Sequence, residues 1–362
     1  MPSKPLKVWV LAPHLLTNDA NIDYYYDFSQ SIAEYTATFG ALKLNWQWQP
    51  VTMNDYTDVI EKIYEESKNG TLPVVLNLCD GDEVNGTPGV SVVKLLEKKG
   101  LVYTGSDEYF YRVTTSKIPM KQAFEAAGVP TPKWEAIRSP KQSIECIFSR
   151  LGRPIIVKPA VSGGSMGVGI KNVVSSYEEL NSQVQQMFAG YRGWNLAADG
   201  LLAESFIKGP EFTTLIVGSW RRPDLCKVYT PVERVFHSSL PDTEKFLSFD
   251  RLWEIYEEEA PMPGDDSFYE YQEPDQQLQE RIKQISLDAY LAVKGTGYTR
   301  VDLRMDSQTG KLYVLEVNAQ CGLSEDEDYT SIGAILRLSN ESFTGLVMEI
   351  INDALERKRI GK

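Results

Sequence analysis

The stretch "TRVDLRMDSQTGKLYVLEVNAQCG", Thr299 to Gly322, limits the fold more than any other in the chain. Two runs of strand-forming residues flank the turn signal "SQTG", so the segment reads as a β-hairpin. Side chains alternate along a strand, and residues two apart share a face. Arg300, Asp302 and Arg304 therefore face one way, and Val301, Leu303 and Met305 the other. On the second run Glu316 and Asn318 share a face in an otherwise apolar strand, and the turn brings Asp302 close to Glu316 across the ladder. A buried carboxylate is costly without a partner, which must be an arginine, a lysine or a metal ion. Asp302, Glu316 and Asn318 offer the oxygen donors of a magnesium–nucleotide site. An ion-paired patch from Arg300 to Glu316 explains the same residues. The hairpin alone leaves both readings open.

A second motif shifts the balance. "IIVKPAVSGGSMGVGI" sets Lys158 on a β-branched strand ahead of Gly163, Gly164, Gly167 and Gly169. Glycines let backbone N–H groups approach phosphates closely, and the lysine adds a point charge. The motif is neither a Walker A loop nor a complete GxGxxG, and a glycine-rich hairpin by itself is commonly structural. With Lys117, Lys158, Glu204, Glu211, Asp302, Glu316 and Asn318 in this order, nucleotide binding becomes the reading.

The chain of 362 residues has a net charge of −13, which argues against nucleic acid or an anionic membrane as partner. It holds no apolar run of membrane-spanning length, and its first residues lack a cleavable signal design, so the expected location is the cytoplasm. Cys79, Cys146, Cys226 and Cys321 are scattered and read as reduced thiols. The presence of only His14 and His237 argues against a zinc site or a histidine triad, and any metal should be a hard cation held by oxygens.

The first hundred residues alternate strand and helix as in an open α/β sheet: "LKVWVLAP", a helix in "YYYDFSQSIAEYTATFG" stopped at Gly40, "LPVVLNLCDG", a helix in "SVVKLLEKKG" stopped at Gly100, then "LVYTGS". From Thr114 the pattern changes. "TTSKIPMKQAFEAAGVPTP" reads as one capped helix, and "SPKQSIECIFSRLG" as another with Ser139 as N-cap, Pro140 at N1 and Gln142 completing a capping box. "SSYEELNSQVQQMF" opens a further helix, and "LLAESFIKGPEFTTLIVG" gives two strands around a Gly209–Pro210 turn. The expected domains are 1–113, an α/β unit; 114–204; and 205–362, with a mobile loop near 240–276 that is long for a connector.

In "GLVYTGSDEYFYRVTTSK", "PIIVKPAVSGGSMGVGI", "AESFIKGPEFT", "RVDLRMD" and "LEVNAQCGLS" the chain resembles the ATP-grasp superfamily, in its D-alanine–D-alanine ligase branch, from about Leu6 to Leu338. The resemblance implies a three-subdomain α/β (α+β) ATP-grasp fold clasping ATP between two antiparallel sheets. It implies an ADP-forming carboxylate–amine ligase that works through an acyl phosphate on small-molecule substrates. Lys117 and Lys158 would contact the phosphates under a flap containing Ser162, Gly163, Gly164, Ser165 and Gly167. Glu204 would meet the adenine amino group, the backbone of Ser205, Phe206 and Ile207 would line the adenine slot, and Glu211 would bind the ribose. Lys245 stands where relatives reach the γ-phosphate from a loop, and Asp302, Glu316 and Asn318 would bind two Mg²⁺ ions, with Mn²⁺ as a substitute. Arg300 and the N–H of Gly322 would polarise the carboxylate. The oligomeric state stays open, relatives being commonly homodimers.

The chain also departs from that pattern. Relatives place a glutamate in the first strand-loop to hold the first ammonium; here only Asp19 is offered, out of register. Gly164 replaces a flap serine, and Cys321 a proline. Where relatives grip the second carboxylate with a serine, the chain reads Ser324, Glu325, Asp326, Glu327 and Asp328. Ser324 and Glu327 could form a capping box. One of the acids could instead select a cationic or carboxylate-free amine, since like charges about 4 Å apart repel by about 4 kcal/mol at an effective dielectric of 20. The expectation is an amide ligase with a different amine; the alternatives are a genuine D-alanine–D-alanine ligase and a non-catalytic ATP-binding regulator.

Overall fold

The computed structural model describes residues 4–15, 27–191, 193–257, 259–328 and 330–360. Its first sheet is parallel, with strands β1 (Leu6–Pro13), β2 (Asn45–Val51), β3 (Leu72–Asn77) and β4 (Val102–Tyr103) in the order β2-β1-β3-β4. Helices α1 (Ser29–Leu42), α2 (Tyr56–Lys68) and α3 (Val90–Lys99) make the crossovers. Helix α1 runs through Gly40 and stops where Lys43 takes the left-handed conformation at φ 53°, with the Lys43 N–H bonded to the Gly40 carbonyl and the Leu44 N–H to that of Phe39. Gly100 ends α3 in that conformation, as its position suggests. β2 and α2 escape a reading by apolar runs because "NWQWQPV" is an edge strand whose glutamines interrupt the pattern.

The capped helix expected from Thr114 is α5 (Lys117–Ala126), and a further helix, α4 (Glu108–Thr115), precedes it. Ser116 between them is extended and its hydroxyl caps α5, which sets Lys117 in the first turn. The second sheet is antiparallel, with β5 (Trp134–Ile137), β6 (Ile155–Pro159), β7 (Val173–Val174) and β8 (Leu201–Ser205) in the order β5-β8-β6-β7. It is backed by α6 (Ile147–Leu151) and α7 (Tyr177–Ala189). Ser139 caps no helix. Gln142 accepts from the Arg138 N–H and donates to the Ala136 carbonyl, folding the segment into a turn so that helix begins only at Ile147.

The third sheet contains β9 (Glu211–Ser219), β10 (Lys227–Val228), β11 (Val232–Phe236), β12 (Tyr269–Gln272), β13 (Thr296–Met305) and β14 (Leu312–Ala319), ordered β12-β11-β9-β13-β14 with β10 beside β9. The strands either side of Gly209–Pro210 therefore belong to different sheets, β8 to the second and β9 to the third. Gly209, at φ 142°, makes the crossing: a Cβ there would sit 2.2 Å from the Met305 carbonyl oxygen. A short helix α8 (Phe249–Leu252) lies in the long 240–276 segment, followed by α9 (Gln276–Ala292), α10 (Ser331–Leu338) and α11 (Phe343–Arg359).

Burial follows the alternation. Val301, Leu303, Val314 and Val317 pack with Phe110, Phe124, Ile282 and Tyr290 of α4, α5 and α9, which leaves the polar face of the hairpin turned toward the second sheet. The first sheet is covered on both faces, as a parallel sheet requires. Trp9, Leu11 and Val75 meet Ile60, Ile63 and Leu96, while Val8, Val10 and Leu76 meet Ile335, Leu346 and Ile350 from the end of the chain.

Candidate active site

All three sheets contribute to one cavity of about 420 Å³. Its wall on the third sheet is the hairpin, where Asp302 stands directly opposite Glu316 and Arg300 opposite Asn318, with a register irregularity just after Asp302. Asp302 accepts from Arg300 Nε (3.1 Å), Arg300 Nη2 (3.0 Å) and Asn318 Nδ2 (2.8 Å). Burial pushes its carboxyl up and Arg300 beside it more than reverses this, so the group stays below the usual carboxylate range. Glu316 meets Lys117 Nζ at 3.6 Å rather than Arg300. Two carboxylates and one amide oxygen in a single patch suit a hard cation that keeps part of its shell for water and phosphate. Among the described residues, no group of three or more His, Cys, Asp and Glu could enclose a metal by itself.

Across the cavity, Lys117 Nζ donates to the Ser162 carbonyl at 3.2 Å, at the root of the glycine flap. Ser162, Gly163, Gly164 and Ser165 line the space. Gly167 does not; it lies behind, against Leu196 and Pro159. The 240–276 segment lies over the flap: Phe249 N–H bonds to the Val168 carbonyl (2.8 Å), Trp253 Nε1 to the Gly164 carbonyl (2.8 Å) and Ile170 N–H to Glu259 Oε1 (3.0 Å). Phe246, Leu247, Leu252 and Trp253 thereby close one side of the cavity. Ile156, Val168, Phe206 and Phe246 form an apolar cluster on the cavity wall that Ser205 and Ile207 continue.

Several expected contacts fall differently. Glu204, on the cavity lining, is met by two ammonium groups, Lys158 and Lys121 (2.9 Å). Burial alone would raise its carboxyl; the two lysines bring it down to about 2. Glu211 lines the cavity and is likewise engaged by Arg234 and by Arg304 Nε (3.1 Å). Lys245 turns its ammonium out to Asp242 (3.0 Å), and only its carbonyl, bonded to Arg304, approaches the site. Ser324 is buried and donates to Glu34 (2.6 Å), and Glu327 pairs with Arg337 on the outer surface. The capping box does not form, because α10 starts later, with the Thr330 hydroxyl accepting from the Ile332 N–H. Ser324, Glu325, Asp326, Glu327 and Asp328 are all absent from the cavity lining, which Leu323, Thr330 and Ser331 complete beside Gly322. Asp19 lies outside the described residues.

Four residues not singled out from the sequence stand at the site. Lys121 follows Lys117 at the i,i+4 spacing that puts both on one helix face. Arg234 breaks the buried face of β11 as Glu316 breaks that of β14; its Nη2 donates to the Tyr271 hydroxyl (3.2 Å). Thr330 precedes the apolar run "SIGAIL" as an N-cap residue should. Asp80 follows β3 with nothing in the local pattern to mark it.

The family profile described as D-ala D-ala ligase C-terminus matches residues 123–352. The chain belongs to the D-alanine–D-alanine ligase family. It is 29% identical over 283 residues, 78% of each chain, to D-alanine–D-alanine ligase B of Xanthomonas campestris pv. campestris. With D-alanine–D-alanine ligase of Stutzerimonas stutzeri it shares 28% over 266 residues, covering 74% of this chain and 73% of the relative. The crystal structure of D-alanine–D-alanine ligase from Bacillus anthracis complexed with ATP superposes with a TM-score of 0.67 at 21% identity, over 99% of this chain and 100% of that one. The enzyme from Coxiella burnetii gives 0.66 at 18%, over 98% and 97%. These structures share the fold. The protein is thus an ATP-grasp carboxylate–amine ligase that forms an amide bond. A different amine finds no support in these relatives, which favour the alternative of a D-alanine–D-alanine ligase, and the acids that suggested it stay off the cavity. Among the described residues, no helix is long and apolar enough to cross a membrane.

Proposed function

We propose that the protein joins two molecules of D-alanine at the expense of ATP. A carboxylate is a poor electrophile, so the γ-phosphoryl is first transferred to the carboxylate of one amino acid. The amine of the second then attacks the acyl carbon, and phosphate leaves. Lys117 and Lys158 sit under the flap where phosphates would lie, and Arg234 is near enough to Asp302 to help hold its carboxyl down, so it adds positive charge at the same end. Asp302, Glu316 and Asn318 would hold Mg²⁺, or Mn²⁺ in its place, and the bound ion would draw negative charge from the phosphate oxygens. Arg300 and the exposed backbone of Gly322 flank the position of the activated carboxylate, where fixed donors stabilise developing charge. The N-terminus of α10, capped by Thr330 and starting at Ser331, would turn the positive end of its dipole toward the carboxylate of the second amino acid. The acyl phosphate is water-sensitive, and the 240–276 segment over the flap would exclude water.

The observation that carries this reading is the Arg300–Asp302–Glu316–Asn318 stripe facing Lys117 and the flap in one cavity that ends at Thr330. Purified protein given ATP, Mg²⁺ and D-alanine should release one ADP per dipeptide detected by mass spectrometry, and chelation should stop both. ADP release without dipeptide, or with no dependence on D-alanine, would sink the proposal.

A further inference from the structure

We infer that Asp80 is the anchor for the α-ammonium of the amino acid whose carboxylate is activated, an assignment that rests on the ligase reading above. β3 ends at Asn77, and the residues after it turn into the cavity, with Leu78, Asp80, Gly81 and Asp82 on its wall. This turn is held in place from several sides. Tyr111 Oη donates to the Gly81 carbonyl (2.7 Å), and Gln320 Nε2 donates to the Asn77 carbonyl (2.7 Å). Gln320 also accepts from the Ser106 N–H (2.6 Å), so the end of the first sheet is tied to the backbone that leads into Cys321 and Gly322. Asp80, Arg300, Cys321 and Gly322 line the same cavity.

The other acids of the cavity have partners. Asp302 meets Arg300, Glu316 meets Lys117, Glu204 meets two lysines, Glu211 two arginines, and Asp82 accepts from the backbone and side chain of Asn85. Asp80 is exposed to the cavity, and among the described residues no lysine, arginine or histidine pairs with it. The surrounding walls, with Asp82 beside it, push its carboxyl up to about 6, as expected of a carboxylate that lacks a counter-charge. An amino acid whose carboxylate lies between Arg300 and Gly322 carries its ammonium two bonds away. A carboxylate on the same cavity wall, three residues after the Asn77 that Gln320 holds, is the acceptor that such an ammonium needs.

Steady-state dipeptide formation by the full-length protein tests this. Asp80→Asn should raise one of the two D-alanine KM values about tenfold or more and leave the other nearly unchanged, the loss of one charged hydrogen bond. It should leave the ATP KM within about twofold, and Asp80→Glu should recover most of the loss. A merely structural Asp80 would instead move the ATP KM and the melting temperature together. Unchanged D-alanine dependence in Asp80→Asn, or the same loss appearing in Asp19→Asn and not in Asp80→Asn, overturns the assignment while the ligase reading stands. Wild-type protein that forms no dipeptide overturns both.

Discussion

At Glu204 one carboxylate meets two ammonium groups, and the side chains of Glu204 and Lys121 are 2% and 0% exposed. Removing one member of such a cluster leaves an uncompensated charge, which typically costs about 3–5 kcal/mol. Glu204→Gln should therefore lower the unfolding free energy in urea by about that amount. Lys121→Met should cost less, because Lys158 still meets Glu204. The carboxyl titrates at about 2 in the folded protein against 4.5 as its ordinary value. A depressed carboxyl stabilises the fold above its unfolded value and loses that contribution as the pH falls through its folded one. Lys121, whose ammonium burial lowers, offsets part of the gain. Acid unfolding should thus show a component between pH 4.5 and 2 in the wild type that Glu204→Gln lacks. Asp302→Asn belongs to the same scale with the opposite emphasis. It removes a charge from the oxygen patch while Arg300, 24% exposed, retains access to water. Dipeptide formation should fall roughly 10²–10³-fold, read as kcat across a Mg²⁺ series, with little change in melting temperature.

Elements decide how these residues meet. Ser116 separates α4 from α5 and, as the N-cap of α5, brings Lys117 to the flap. α10 begins at Ser331 although Ser324 and Glu327 have the spacing of a cap, because Ser324 is drawn to Glu34 of α1 and Glu327 to Arg337. The long segment carrying α8 touches the flap through Trp253, whose indole N–H reaches the Gly164 carbonyl. Trp253→Phe keeps most of the ring and removes that hydrogen bond. If this contact keeps water from the acyl phosphate, the variant should release more ADP than dipeptide, whereas the wild type stays near one to one. An unchanged ratio would mean that the contact has no part in closure.

Over the whole molecule, the end of the chain completes its beginning. Leu346 and Ile350 of α11 are buried against Val8, Val10, Val74 and Leu76 of the first sheet, in a cluster that also holds Leu215 and Tyr298 of the third. Ile350→Ala should cost about 2–5 kcal/mol of stability as a cavity left in a packed core, measured by denaturant unfolding. Because the cluster spans the first and third sheets, the loss should appear as a single transition rather than an early melting of one part. The strand faces were legible in advance. Alternation is a property of the local backbone, so Asp302, Glu316 and Asn318 had to share a side wherever the hairpin went. The glycine loop after Lys158 was legible in the same way, and Ser162, Gly163, Gly164 and Ser165 of it line the cavity. Partners were not legible. That β8 and β9 enter different sheets, that Glu204 and Glu211 are taken by basic side chains, and that Asp80 rather than the acids after Ser324 faces the cavity depend on contacts between segments far apart in the chain. Local spacing determines which groups a segment can present; only the packing of the three sheets decides which of them meet, because burial and charge pairing are properties of the assembled interior.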